Sequence, residues 1–403
     1  MRKLQLHWQI LIALLLAVLF GIFLKDYVNY VSWMGEIFLR ALKMIIIPLV
    51  LSSIISGVTN IGNAENLGRL GLKTILYYVL TSTFAIVTGL ILVNLFKPGI
   101  GADLNLEQAV DLEVTSGSIG EVLIRIIPDN IVEAFSNNSQ MLSVIFFAIL
   151  FGFFITRAGK KSRELLTDVF NAVFEVMMKV TLFVIRFTPF GIFGLVADTV
   201  SQQDDLIGLM ESMGLYMMVV LSALFIHAFI TLPLVARFIG KVKPWKHFNN
   251  MKTPLLTAFS TSSSNATLPL TMQAVEDNSG VSNKISSFTL PLGATINMDG
   301  TALYECVAVM FIAQAYGVEL SFMQQVVVVI TALLASIGAA GIPMAGLVMI
   351  TIILTVVGLP LEGVGLILAV DRALDMFRTA TNVWSDSCGA VVIAKSEGEE
   401  LNV

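Results

Sequence analysis

Asp371, Asp375, Arg378, Asn382 and Asp386 are spaced four, three, four and four residues apart in an otherwise apolar stretch, Leu359 to Ala394. At about 100° per residue, that spacing holds all five on one narrow face of an α-helix. The chemistry open to such a row is electrostatic. An ionisable group at bilayer depth costs from about 2.5 kcal/mol upward, so four of them on one face must meet a partner, a cavity or a ligand.

A second cluster lies upstream, where Asn297-Met298-Asp299-Gly300-Thr301 follows Pro291-Leu292-Gly293-Ala294-Thr295 inside an apolar segment. An unwound turn there would free carbonyls to hold a dehydrated cation, with Asp299 neutralising it. The plainer alternative is an Asp299 hydrogen-bonded to a neighbouring helix. Glu305, next to Tyr304, puts one more acid in the same segment.

The elements that carry these residues belong to a membrane protein. Of 403 residues 56% are hydrophobic and 13% charged, against roughly 25% charged in a soluble domain, and the mean hydropathy is +0.85. The net charge of -5 lies mostly in loops and implies no nucleic-acid partner. Cys306 and Cys388 cannot build a disulfide framework. His7, His227 and His247 match no ligand spacing and read as structural or incidental. The N-terminal apolar run to Leu24 lacks a small-x-small cleavage site and reads as a retained spanning helix.

Eight runs are long enough to cross the bilayer: 8–25, 32–58, 72–96, 139–156, 165–199, 206–237, 285–315 and 361–394. Basic residues cluster in alternate connections, so by the positive-inside rule both termini are cytoplasmic. Two further stretches, Lys246 to Met272 and Phe322 to Leu359, are each interrupted. The break in the first is Ser260 to Thr267, with Pro269 following, and in the second Ser336 to Pro343. Both read as re-entrant helical hairpins. Non-helical backbone at membrane depth is tolerated only around a cavity or within protein. Two such segments in equivalent positions point to inverted repeats with a binding site between the breaks. A hydrophilic loop and a glycine packing surface are the blander readings.

These motifs together resemble the dicarboxylate/amino acid:cation symporter family, which includes archaeal aspartate transporters and the animal excitatory amino acid transporters. The likeness rests on the serine hairpin ending in Thr267-Leu268-Pro269, the run at 297–301, the glycine hairpin at 336–346 and the Asp375…Arg378-Thr379…Asn382…Asp386 helix. Members of this family are among the cases from which the inverted-repeat rule was drawn, so rule and resemblance count once.

The resemblance implies an all-α polytopic fold of eight transmembrane helices plus two re-entrant hairpins, working as an elevator-type homotrimer in the cell membrane. Residues 1–69 and 102–200 would form a scaffold, and 70–101 and 201–403 a mobile transport unit. The implied function is sodium-coupled symport of aspartate or glutamate, not enzymatic catalysis. Arg378 would bind the side-chain carboxylate, for which a guanidinium fork is suited, and Asp375 the α-amino group. Asn382 and main-chain groups near Ser264 would hold the α-carboxylate. Thr301 and Thr379 would add hydroxyl contacts, and Ile342 and Gly346 would lie in the closing hairpin.

The implied sodium sites are three. Asp386 with carbonyls of Gly293, Asn297 and Asn382 resembles the first. Thr295 and Met298 with carbonyls of Ser336, Ile337 and Ala339 resemble the second, and Asp299 and Asn297 with Tyr78, Thr81 and Ser82 a deeper third. Glu305 stands where the animal glutamate transporters carry the acid thought to move a proton, which implies H+ co-transport and leaves room for K+ counter-transport.

Departures from the family pattern are also visible. Ser262 and Met376 occupy places where relatives carry an accessory arginine, which leaves the support of Arg378 open. Ser385 stands where glycine is usual, and Asp371 is expected to support the sodium-binding core or Arg372. A proton-driven dicarboxylate carrier would not need Asp375 or the full cation ligand set. An intramembrane aspartyl protease using Asp299 and Asp386 gives no reason for Arg378 or the broken hairpins.

Overall fold

A computed structural model describes residues 6–62, 68–102, 124, 127–136, 140–203, 206–338 and 345–403, and every regular element among them is helical. Helix α1 (Leu6–Phe23) leads through a 3-10 turn (Lys25–Tyr30) into α2 (Ser32–Gly62), and α3 (Gly68–Phe96) follows. Next come α4 (Ile131–Ser136), α5 (Met141–Arg157), α6 (Lys160–Ile185) and α7 (Thr188–Gln202). Helix α8 (Leu206–Ile226) runs through a π-turn (His227–Thr231) into α9 (Leu232–Phe238).

The remainder is α10 (Pro244–Asn250), α11 (Lys252–Thr261), α12 (Ser264–Gln273) with a second π-helical segment after it (Ala274–Asn278), α13 (Asn283–Ile296), α14 (Asp299–Ala315), α15 (Phe322–Gly338), α16 (Ala345–Val356) and α17 (Val364–Ser396).

By length and composition, Ser32–Thr59, Arg69–Phe96, Leu206–Phe238 and Asn283–Ala315 can each cross a bilayer, and the bent pair α6–α7 makes a fifth. Helices α1 and α5 are apolar but shorter, and α17 carries the polar stripe. The outer surface exposes large apolar side chains, among them Leu15, Leu72, Ile91, Phe154 and Met218, as lipid contact requires. The protein is a multi-pass membrane protein.

The continuous span expected over 165–199 is not continuous: α6 and α7 meet at a 50° bend. Pro189, in the first turn of α7, has no N–H, and its ring would clash with the carbonyl four residues back, at Ile185 where α6 ends. The first expected hairpin interruption is a real break. Between α11 and α12, Ser262 adopts a left-handed conformation (φ 51°), and the Ser263 side chain caps α12 by accepting the Ala266 N–H at 3.2 Å. Arms α15 and α16 pack on each other; their connecting residues 339–344 lie outside the described set. The expected unwound turn also forms, because Asn297 and Met298 interrupt the ladder between α13 and α14.

Helices α1, α2 and α7 come close through small residues. A Cβ on Gly194 would sit 2.6 Å from the Gly35 nitrogen and 2.8 Å from the Val31 carbonyl oxygen, so glycine sets the helix separation. Two apolar clusters make the interior. One joins α2, α8, α14, α15, α16 and the first half of α17; the other joins the start of α3 to α9, α13 and the last turns of α17. The polar residues of α13, α14 and α17 fall where the two clusters meet.

The chain end closes the second cluster. Glu397 pairs with Lys73 at 2.5 Å and Arg69 at 3.0 Å, and those cations hold its carboxyl below the usual carboxylate range, Lys73 contributing most. Glu399 accepts the Ser282 N–H at 2.9 Å, and the Asn402 N–H donates to the Ser279 carbonyl at 2.9 Å.

Gly194→Val is expected to cost about 1–3 kcal/mol through overpacking that backbone atoms cannot relieve. Gly214→Ala, at a helical position where an added Cβ meets nothing within 4 Å, should instead gain about 0.4–1 kcal/mol. Thermal unfolding of the detergent-solubilised protein checks both.

Candidate functional site

The break between α13 and α14 turns Asn297 and Asp299 toward α3, the π-turn and α17. Asn297 and Asp299 are fully buried. The Asp299 carboxylate accepts from Ser82 at 2.5 Å and Thr81 at 3.4 Å on Oδ1, and from Ser385 at 2.6 Å on Oδ2. Oδ2 also meets His227 Nε2 at 2.9 Å. Asn297 Nδ2 donates to Asp386 Oδ1 at 2.8 Å and to Ser385 Oγ at 3.0 Å. These bonds give the plainer reading of Asp299, a carboxylate hydrogen-bonded to neighbouring helices.

One turn back along α17, Asn382 bridges to α14. Its Oδ1 accepts the Gly300 N–H at 2.8 Å and its Nδ2 donates to Thr301 Oγ1 at 3.1 Å. One turn further back lies Arg378, 1% exposed. Its Nη2 donates to Asp375 Oδ1 at 2.7 Å and lies 3.1 Å from Asp371 Oδ1. Tyr304 donates its hydroxyl to Asp371 at 2.7 Å and offers its ring face to the guanidinium, 3.9 Å from centroid to Cζ.

Two carboxylates and one aromatic ring thus hold a cation that the apolar surroundings would otherwise penalise. Nε and Nη1 of Arg378 have no hydrogen-bond partner among the described residues. Gly346 is what leaves room beside Nη1, because a Cβ there would stand 2.5 Å from it. Nη1 therefore faces Gly346, with N–H groups free to donate to an anion.

Asp371 departs from its expected role. It supports Arg378, not the cation cluster or Arg372; Arg372 is half-exposed and lies 3.7 Å from Asp375. With Ser262 and Met376 offering no arginine, the contacts to Arg378 come from Asp371, Asp375 and Tyr304. Glu305 is buried, and neither carboxyl oxygen has a hydrogen-bond partner among the described residues.

Other expected ligands are not drawn in. Tyr78 donates to the Thr289 carbonyl at 2.8 Å instead of joining Asp299. Thr295 and Ser336 donate to carbonyls of their own helices, Leu292 and Leu333, each at 2.8 Å. Met298 is buried in the α13–α14 break, and the Gly293 carbonyl accepts the Asn297 N–H at 2.8 Å. Thr379 is buried on α17, and Ser264, half-buried at the start of α12, makes no hydrogen bond to the stripe among the described residues. Ile337 lies in the last turn of α15, while Ala339 and Ile342 lie outside the described residues.

What the sequence reading did not assign is the shared partner of His227 and Ser385. His227, expected to be structural or incidental, is structural: it is fully buried on Asp299. The available signal was a lone imidazole at mid-span, where a polar group needs a partner. No group of three or more His, Cys, Asp or Glu among the described residues could form a metal site of its own.

Comparisons with known proteins give the family. A model of the sodium:dicarboxylate symporter family matches residues 6–396. The chain is 38% identical to the proton/glutamate-aspartate symporter of Escherichia coli (strain K12), over 98% of this chain and 93% of that protein. It is 37% identical to the proton/sodium-glutamate symport protein of Geobacillus stearothermophilus, over 99% and 96%. To the excitatory amino acid transporter 3 of Oryctolagus cuniculus it is 36% identical, over 99% and 87%.

Asp371→Ala strips Arg378 of one buried carboxylate and leaves the Tyr304 hydroxyl without its acceptor. A loss of about 3–5 kcal/mol is expected, read as a lower midpoint of thermal unfolding. Arg372→Ala, at a half-exposed position, should change the midpoint little.

Proposed function

The chain belongs to the sodium:dicarboxylate symporter family, and from that premise we propose that it is a secondary active transporter carrying aspartate or glutamate with sodium and a proton. The observation that carries the reading is the buried Arg378, whose unpartnered Nη1 lies beside Gly346. The substrate's side-chain carboxylate accepts from that nitrogen. Its α-amino group goes to Asp375, and its α-carboxylate to Asn382 and the backbone near Ser264. Thr301 and Thr379 line the same pocket, and the hairpin carrying Ile342 and Gly346 closes over it.

Sodium binds first at Asp386, with Asn297 and Asn382, and a second ion binds when the second hairpin shuts, through Thr295, Met298, Ser336, Ile337 and Ala339. Asn382 holds Gly300 and Thr301 in place while Asn297 holds Asp386, so ordering one site orders the other. By linkage, sodium and substrate then raise each other's affinity by the same factor, and the sodium gradient drives uptake.

Glu305 carries the proton. An ionised carboxyl at its position would be an unpaired buried charge, which a proton removes. Return of the empty carrier with K+ fits the same exchange.

In this reading the chain has eight transmembrane helices and two re-entrant hairpins, with both termini in the cytoplasm and the protein in the cell membrane as a homotrimer. Residues 1–69 and 102–200 form the scaffold, a grouping supported by the packing of α1, α2, α5, α6 and α7 on one another. Residues 70–101 and 201–403 form the moving unit, supported by the packing of α3, α8, α14 and α17.

Radiolabelled aspartate and glutamate should accumulate in proteoliposomes only with an inward sodium gradient; sodium-independent accumulation, or none of either, rejects the proposal. Arg378→Cys should weaken acidic substrates by roughly 30- to 150-fold, the equivalent of about 2–3 kcal/mol for hydrogen bonds to a charged group, and Asp386→Asn should blunt the sodium dependence. Glu305→Gln should abolish substrate-driven acidification of the vesicle interior, and an unchanged proton signal would remove Glu305 from the mechanism.

A further inference from the structure

From the end of α9 to the start of α11 the chain carries Arg237, Lys241, Lys243, Lys246 and Lys252, while the sole acid between Leu206 and Val275 is Glu211, near the opposite end of α8. Like charges so closely placed call for a counter-anion. Among the described residues no ion pair or side-chain hydrogen bond reaches Arg237 or Lys243.

Those two cations line one groove. It has a volume of about 480 Å³, and its other lining residues are apolar, Phe229, Ile230, Leu234 and Trp245 among them. All four of these are exposed. Helix α9 gives way to the loop at a left-handed Lys241 (φ 52°), where the Val242 N–H donates to the Ala236 carbonyl at 3.2 Å. That turn brings Lys243 back onto the groove that Arg237 lines.

The depth of the groove follows from the helix that carries it. Leu206–Phe238 has 33 residues, about 50 Å at the helical rise, against about 30 Å of hydrocarbon. Its last turn, with Arg237, reaches the headgroup layer, where Trp245 is also at home. Phe229 lies about 12 Å further along the axis, toward the hydrocarbon.

We propose that Arg237 and Lys243 hold the phosphate of an anionic phospholipid, with an acyl chain laid along Phe229, Ile230 and Leu234. Charge gives way to apolar surface along the groove in the same order as in such a lipid. A free phosphate ion would meet the cations and leave the apolar wall bare, whereas a neutral lipid would cover the wall and leave the cations without a counter-charge. The bound lipid backs the π-turn at His227 to Thr231, whose inner side meets Asp299.

The test is the dissociation constant of phosphatidylglycerol, measured by native mass spectrometry on the full chain in detergent, with phosphatidylcholine and glycerol phosphate in parallel. Phosphatidylglycerol should bind most tightly. Arg237→Gln/Lys243→Gln should weaken it by roughly 30-fold, the equivalent of about 1 kcal/mol per cation. Lys241→Gln/Lys246→Gln removes the same charge outside the groove and should weaken it by a few-fold at most. Equal affinity for phosphatidylcholine, equal losses in the two double variants, or no measurable phosphatidylglycerol binding overturns the proposal. Glycerol phosphate binding as tightly as the lipid does so too, since the groove would then be a site for free phosphate.

Discussion

Charge in an apolar body is the constraint on which this structure depends. Arg378, Asp299 and Asp386 sit where neither water nor lipid headgroups can solvate them, so each must be met by groups on other elements. Asp299 gathers donors from α3, the π-turn and α17, and Arg378 gathers Asp371 and Asp375 on its own helix and Tyr304 from α14. Removing any one helix would strand a buried charge. These polar contacts fix the relative register of α3, α14 and α17 more tightly than apolar packing could, because apolar contacts tolerate sliding and hydrogen bonds do not.

The irregular backbone serves the same end. An unbroken helix through Asn297 and Met298 would use their backbone groups in its own ladder; the break places Asn297 and Asp299 against two different neighbours. The π-turn does likewise for His227, and the left-handed Ser262 lets α11 and α12 meet. Such departures are tolerated at membrane depth because protein surrounds them.

The sequence made the polar stripe, the broken seventh span, the break in the serine run and the family legible, because each is written in local order: helical spacing, a proline, a run of serines. It was less good at assigning partners. Asp371 looked like support for Arg372 or the sodium core, yet Tyr304 and Arg378 claim it. Tyr78 looked like a cation ligand, yet the Thr289 carbonyl takes its hydroxyl. The span over 165–199 looked straight because its apolar pattern continues through Pro189, where the missing N–H bends it.

What the sequence by itself determined is which residues must be buried together: the acids, the guanidinium and the amides on helical faces with nowhere else to go. Only the tertiary structure decided which donor meets which acceptor. His227 and Ser385 show why: they lie 72 and 86 residues from Asp299 in the chain, and no periodicity links them to it. Their meeting is set by how α8, α14 and α17 cross, and that crossing is fixed by the sum of all the buried contacts and not by any local pattern.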